Sequence, residues 1–397
     1  SSGSNALTTS VPSEAFATSY HYSTGAVMTF NFGADSTFAG VVSAGTNSDA
    51  NNIGSFKYSV PTNFLALCAS NLPDSTISPN SSNGTADEFF NTVLYTGNGA
   101  SRSITDVGFR PDWSWFKSRS NSSDHYLFDS SRGASNNSLS SNDTGVEDTT
   151  SGQFTQFTDT GFDLPADSAG YINYNSRTYV AWNWKAGGTT PTKTYKVKVV
   201  ADSTDYGHGT GSNKYQFFKS DGTTGFGTNG VDIVLQEGGT YVFDYSDSSA
   251  QGHPLRFSLT NDGTHSSGTS AGSEYTTGVV KDDSAYKITI TIASGVASLY
   301  YYCANHSGMG AEISTNETHG STNFDGSITS VVQTNETAQF SIITGTTVNV
   351  QANDMSETFG HGLSGTPDFL IIKPRNANFL WSVWTSAITI SDVQGLT

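Results

Sequence analysis

The chain sets a thiol, an imidazole and a thioether three residues apart in Cys303-Ala304-Asn305-His306-Ser307-Gly308-Met309. Soft sulfur and borderline nitrogen donors together suit copper, because they hold that metal in both of its oxidation states. A second imidazole is available well upstream, in Gly252-His253-Pro254-Leu255-Arg256-Phe257. A residue before proline is pushed towards an extended conformation, so His253 is expected on a strand, on one face with Leu255 and Phe257. Two alternatives stand beside copper: a different metal, and an apo domain in which Cys303 is a small buried hydrophobe. Should His253 point elsewhere, His208 and His265 are the fallback imidazoles. The remaining histidines, His21, His125, His319 and His361, fall in polar turns and read as solvated.

The elements that must position these donors read as strands. Leu299-Tyr300-Tyr301-Tyr302-Cys303 is a strand end followed by a loop, and Ile288-Thr289-Ile290-Thr291-Ile292 alternates strictly before it. Earlier strands are expected over 193–199, 214–218 and 231–235, with a hairpin at Glu237-Gly238-Gly239 leading into 240–245. On these motifs the stretch from Lys193 to Ile313 resembles a cupredoxin, the blue-copper fold. That resemblance implies a Greek-key barrel with copper held by His253, Cys303, His306 and Met309.

Composition agrees with strands throughout. Hydrophobic residues make up only 35% of the 397, yet aromatics reach 12%. Ser, Thr, Asn and Gly surround them, which favours short aromatic strands joined by polar turns over disorder. No stretch reads as a long amphipathic helix, so an all-β chain of sandwiches is expected. The formal net charge of −17 repels phosphates, which argues against nucleic-acid binding. No apolar run is long enough for a membrane-spanning helix, and the first residues do not read as a secretory signal. With Cys303 reserved for a metal, Cys68 has no disulfide partner and reads as a buried strand-end thiol in Phe64-Leu65-Ala66-Leu67-Cys68-Ala69.

Four segments follow in order. Residues 1–74 carry strand patterns at 26–33 and 52–58, and the run from Val60 to Pro73 resembles the closing strand of a SPRY/concanavalin-like sandwich. Residues 75–190 form an aromatic module, with strands at Phe89–Gly97, around Trp113 and Trp115, and at Thr178–Lys185. Within it, residues 130–150 read as an exposed excursion. The cupredoxin-like segment takes 191–316. In 317–397 the module recurs: Phe90-Asn91-Thr92-Val93 answers to Phe340-Ser341-Ile342-Ile343, and Pro111-Asp112…Lys117-Ser118-Arg119 to Pro367-Asp368…Lys373-Pro374-Arg375. This second copy ends before a counterpart of Trp182 to Lys185, and the first residues read as a cut or processed end. Trp182 and Trp184 share a face, read as core packing ahead of a sugar-stacking platform.

No paired carboxylates, nucleophile elbow or phosphate-binding glycine loop stands in a fitting context, so no catalytic residue is assigned and the chain is not expected to be an enzyme. Asp106, Asp112 and Asp129 read as turn and strand-end residues. As a domain order, the aromatic repeat, the sandwich-closing strand and the copper-type insert resemble tail-fibre-like structural proteins of marine bacteriophages. That implies a non-catalytic virion protein at the particle surface, a tail fibre or surface appendage. Its partners would be other virion proteins, copies of itself and a host-surface receptor or glycan. Two other functions fit the same residues: a copper electron-transfer protein, and a secreted bacterial adhesin or filament subunit.

Overall fold

The computed structural model describes residues 33–38, 40–66, 68, 71, 85–133, 137–187, 192–266, 272–296, 298–316, 320–347, 357–386 and 395–396. The chain divides into two units, Ser1–Ser75 and Thr76–Thr397. In the first, the expected strand over 52–58 is a series of turns with one bridge, Asn47 to Phe56. Asp49 supplies the reason. Its buried carboxylate accepts from the backbone N–H groups of Asn51, Ile53 and Ala66, donors that a strand ladder would need. The described part of the run from Val60 to Pro73 likewise forms no strand, and Cys68 is a half-buried thiol in a bend. Apart from Gly33, the strand expected over 26–33 lies outside the described residues.

The second unit is all-β. Its first module has seven strands: β1 (Phe90–Thr96), β2 (Arg102–Ile104), β3 (Trp113–Ser118), β4 (His125–Asp129), β5 (Gln156–Thr158), β6 (Gly161–Leu164) and β7 (Thr178–Trp184). They form two sheets, ordered β1-β7-β3-β4 and β2-β6-β5. Alternate residues of both meet in an aromatic core, where Phe116 sits edge-on to Phe162 at 5.0 Å and Phe128 stacks on Phe154 at 4.7 Å. Such pairs each add about 0.5–1.5 kcal/mol beyond the area they bury.

The middle segment contributes β8 (Thr192–Ala201), β9 (Asn213–Phe217), β10 (Ile233–Gln236), β11 (Thr240–Asp244), β12 (Leu255–Ser258), β13 (Val279–Asp282), β14 (Lys287–Thr291), β15 (Ser298–Cys303) and β16 (Ala311–Asn316). One sheet runs β13-β14-β11-β8-β9 and the other β10-β16-β15-β12. Inward residues of both, among them Tyr195, Phe217, Phe243, Phe257, Ile290 and Tyr301, share one core and make a sandwich. The turn at Glu237-Gly238-Gly239 is not a hairpin. β10 pairs in parallel with β16, whereas β11 pairs with β8 and β14, so the turn carries the chain from one sheet to the other. Two parallel pairs, β8 with β11 and β10 with β16, result from that crossing.

The last segment has β17 (Ser321–Asn323), β18 (Ser330–Asn335), β19 (Phe340–Gly345), β20 (Phe369–Ile372), β21 (Trp381–Thr385) and β22 (Gly395–Leu396). Phe324, just after β17, stacks on Phe217 at 4.5 Å inside the middle sandwich. The rest covers the outer face of the first module. Phe340 stacks on Trp113 and Trp184, and the Trp381 indole N–H donates to the Ser140 carbonyl. Residues 130–150 are therefore not a wholly exposed excursion: Ser130, Ser131, Arg132, Ser138 and Leu139 are buried. Both repeat motifs form strands, but β1 and β3 are joined through β7 while β19 and β20 lie in different sheets.

Candidate metal centre

Three donors converge at one end of the middle sandwich. Cys303 is the last residue of β15 and stands opposite Leu255 of β12. That register brings the residues just before β12 to the point where the chain leaves β15. The Ala304 N–H donates to the Pro254 carbonyl, and the Asn305 side-chain amide donates to the Gly252 carbonyl, lacing the two segments together. His253 is not on a strand as expected. Its N–H closes a turn onto the Ala250 carbonyl, which leaves Leu255 and Phe257 to bury in the core while the imidazole turns to the rim.

The Cys303 sulfur lies 3.8 Å from His253 Nδ1 and 3.7 Å from His306 Nδ1. All three donor atoms fall within 4.8 Å of one another. One ion bonded to sulfur at about 2.3 Å and nitrogen at about 2.0–2.1 Å holds such donors about 3.5–3.8 Å apart. The two sulfur–nitrogen spacings fall at this range, while the full set of donors spans up to 4.8 Å. Cys303 is fully buried, His253 half-buried and His306 exposed, so the thiol is shielded from bulk solvent and one imidazole forms the solvent edge. Met309 is buried in the same core as Cys303.

Electrostatics favours the ligating form of His253. Burial, and then the neighbouring His306, hold its pKa below the ordinary value, keeping the ring neutral and its nitrogen lone pair free. Tyr215 of β9 supports both ligand segments. Its hydroxyl donates to the His253 carbonyl at 2.6 Å, and its backbone N–H donates to the Met309 carbonyl at 3.0 Å. Burial, and then the Cys303 side chain, push this phenol well above its usual pKa, so it remains a neutral donor.

The other described imidazoles do not join the cluster. His265 donates from Nε2 to the Cys303 carbonyl at 2.9 Å, and His208 pairs with Asp232 at 2.8 Å. His125 accepts from the Trp115 indole, and His361 from the Leu363 backbone N–H. His21 and His319 lie outside the described residues. Sequence reasoning missed Tyr215 and also Lys214, Asp262 and Asn305, which hold the ligand loop. Nothing in their local patterns separates them from ordinary strand and turn residues. Asp112 stands in the bend just before β3, as expected, and is buried there, accepting from Gly187 N–H and from the side-chain amide of Gln333.

Fold and site together define an all-β protein with a His–Cys–His donor cluster at the end of one of its sandwiches. The chain belongs to the family described as a domain of unknown function, DUF7483, whose model matches residues 85–230 and 305–396, more than half of the chain. The match skips the stretch holding His253 and Cys303 and takes in His306 and Met309. No curated protein matches the chain, and no solved structure does.

Proposed function

We propose that the middle sandwich is a cupredoxin-like copper-binding domain, carried by a non-catalytic structural protein of a virion. The observation that supports the copper reading is the convergence of one thiol and two imidazoles at metal-sharing distance. A thiolate with imidazoles selects soft or borderline metals over magnesium or calcium, and the cupredoxin resemblance implies Met309, buried in the same core as Cys303, as the thioether ligand. Bound there, copper would contribute stability, since an ion held only by the folded chain shifts folding in its favour, and it would bring one-electron redox capacity. The virion reading is supported by the serial β modules and by the resemblance to tail-fibre-like proteins. On that reading the chain works as an appendage component that meets other virion proteins, its own copies and a host-surface receptor or glycan.

Copper titration of the full chain tests the site. The expected result is an intense thiolate-to-copper absorption and a raised melting temperature, both abolished by Cys303→Ser. A colourless protein with an unchanged melting temperature rejects the copper reading. Antibody labelling of purified particles under the electron microscope tests the virion reading, which fails if the label stays off the particle.

The exposure of His306 favours a second role for the same centre. A ligand ring open to solvent lets a redox partner approach, so electron transfer is the alternative to a stabilising ion. Reduction of the copper form by a small soluble protein reductant, at a rate unaffected by assembly of the chain, would favour it.

A further inference from the structure

We propose that Lys214 and Asp262 are positioning residues of the metal centre: together they clamp Gly308 and keep the loop between His306 and Met309 in metal-ready shape. The proposal rests on the metal reading above and deepens it.

Lys214 lies in β9, whose neighbours Tyr215 and Phe217 face the core. Alternation sends Lys214 the other way, yet it is only 1% exposed, because the ligand loop covers it. Its ammonium donates to the Gly308 carbonyl at 2.5 Å and, more weakly, to the Gly209 carbonyl at 3.5 Å. Asp262 takes the other end of the same residue. Both of its carboxylate oxygens stand 2.9 Å from the Gly308 N–H. The two charges therefore meet at one glycine, one on its carbonyl and the other on its N–H.

That glycine has little freedom to do otherwise. Gly308 adopts φ +66°, and a Cβ there would come within 2.7 Å of the Gly211 nitrogen. The chain at 209–211 thus closes a third side, and the Tyr215 N–H fixes the next carbonyl, that of Met309. Burying an ammonium beside a half-buried carboxylate is costly, and apolar side chains of the same volume would usually serve packing as well or better. What the charged pair does, and apolar side chains cannot, is to hold one peptide by both its donor and its acceptor. Fixing ligands in place before the ion arrives is the way outer partners tune metal sites, and their loss typically weakens binding 10–100-fold.

The test uses the full chain and the variants Lys214→Met and Asp262→Asn, with Lys214→Arg as the conservative control. Copper affinity is measured against a competing chelator, alongside the thiolate-to-copper absorption and the melting temperature of the metal-free protein. Expected are a roughly 10–100-fold loss of copper affinity and an altered absorption band in the first two variants, with most of both restored in Lys214→Arg. Gly308 amide exchange should also quicken in metal-free Asp262→Asn. Wild-type affinity and spectrum in both variants would overturn the clamp while leaving the metal reading intact. Failure of the wild type itself to bind copper would instead sink the metal reading, and the clamp with it. Should Lys214→Met not fold, the near-isosteric Asp262→Asn decides by the same readouts.

Discussion

The middle sandwich and the aromatic module beside it are both two-sheet structures packed with rings, yet among the described residues only the sandwich gathers a cluster of metal-type donor atoms. In the module, Trp113, Trp184 and Phe340 stack over the outer sheet face, and its buried charged groups find partners: Asp112 with Gln333 and Gly187, Arg132 with Asp129 and Glu147. In the middle sandwich, the Cys303 sulfur stands between two ring nitrogens, within hydrogen-bonding distance of each. Closed polar networks hold parts together, whereas a thiol flanked by two imidazoles is a donor set that could hold a metal ion. The module reads as scaffold and the sandwich as the carrier of the candidate site.

The largest effect should come from the atom that distinguishes the two. Cys303→Ser is expected to remove the copper absorption and the copper-dependent rise in melting temperature completely, whereas Trp182→Phe in the module leaves both intact. Equal loss in the two variants would erase the contrast. Next come the cores. Phe217→Ala and Phe128→Ala remove rings that are fully buried, at about 3–5 kcal/mol each. Only Phe217→Ala should also lower copper affinity below the melting transition, as followed by chelator competition.

A smaller effect, of opposite sign to the usual carboxylate, is expected at Asp112. Burial raises its pKa above the ordinary 3.8, outweighing the lowering by the Gly187 N–H, Ser130, Arg110 and Gln333. Between 3.8 and the raised value, the folded chain binds more protons at this site than the unfolded one, so its contribution to stability falls as pH rises through that window. Urea midpoints across the window should show this slope in the wild type and a flatter one in Asp112→Asn. Gln333→Ala, which leaves the buried Asp112 short of a donor, should cost about 1–3 kcal/mol without touching copper affinity. The smallest effect belongs to Arg375→Ala. Its pair with Glu147 is partly solvated, and Glu147 keeps Arg132, so a change of about 0.2–1 kcal/mol in urea denaturation is expected.

Where sequence reading held or slipped follows from range. The alternation of Ile288 to Ile292 became β14, and the runs at Phe90, Trp113 and Thr178 became β1, β3 and β7, because inward and outward faces are written residue by residue. Gly238 could not be read the same way. A turn after a strand looks alike whether the next strand pairs with it or joins another sheet, and here it joins another. His253 was rightly picked as a donor near Cys303 but wrongly placed on a strand, since the bond to Ala250 that turns it is set by the loop and not by Pro254 alone. Residues 130–150 looked exposed because their small polar side chains gave no sign that strands some two hundred residues later would cover them.

By itself, then, the sequence determined which chemistry was available and which segments would be strands: donor types and two-residue periodicity are local properties. It could not say that Lys214 and Asp262 would close on Gly308 and Tyr215 on Met309, or that Gln333 would reach Asp112. Those meetings join residues 46 to 221 positions apart, and only the closing of sheets over shared cores decides which distant groups become neighbours.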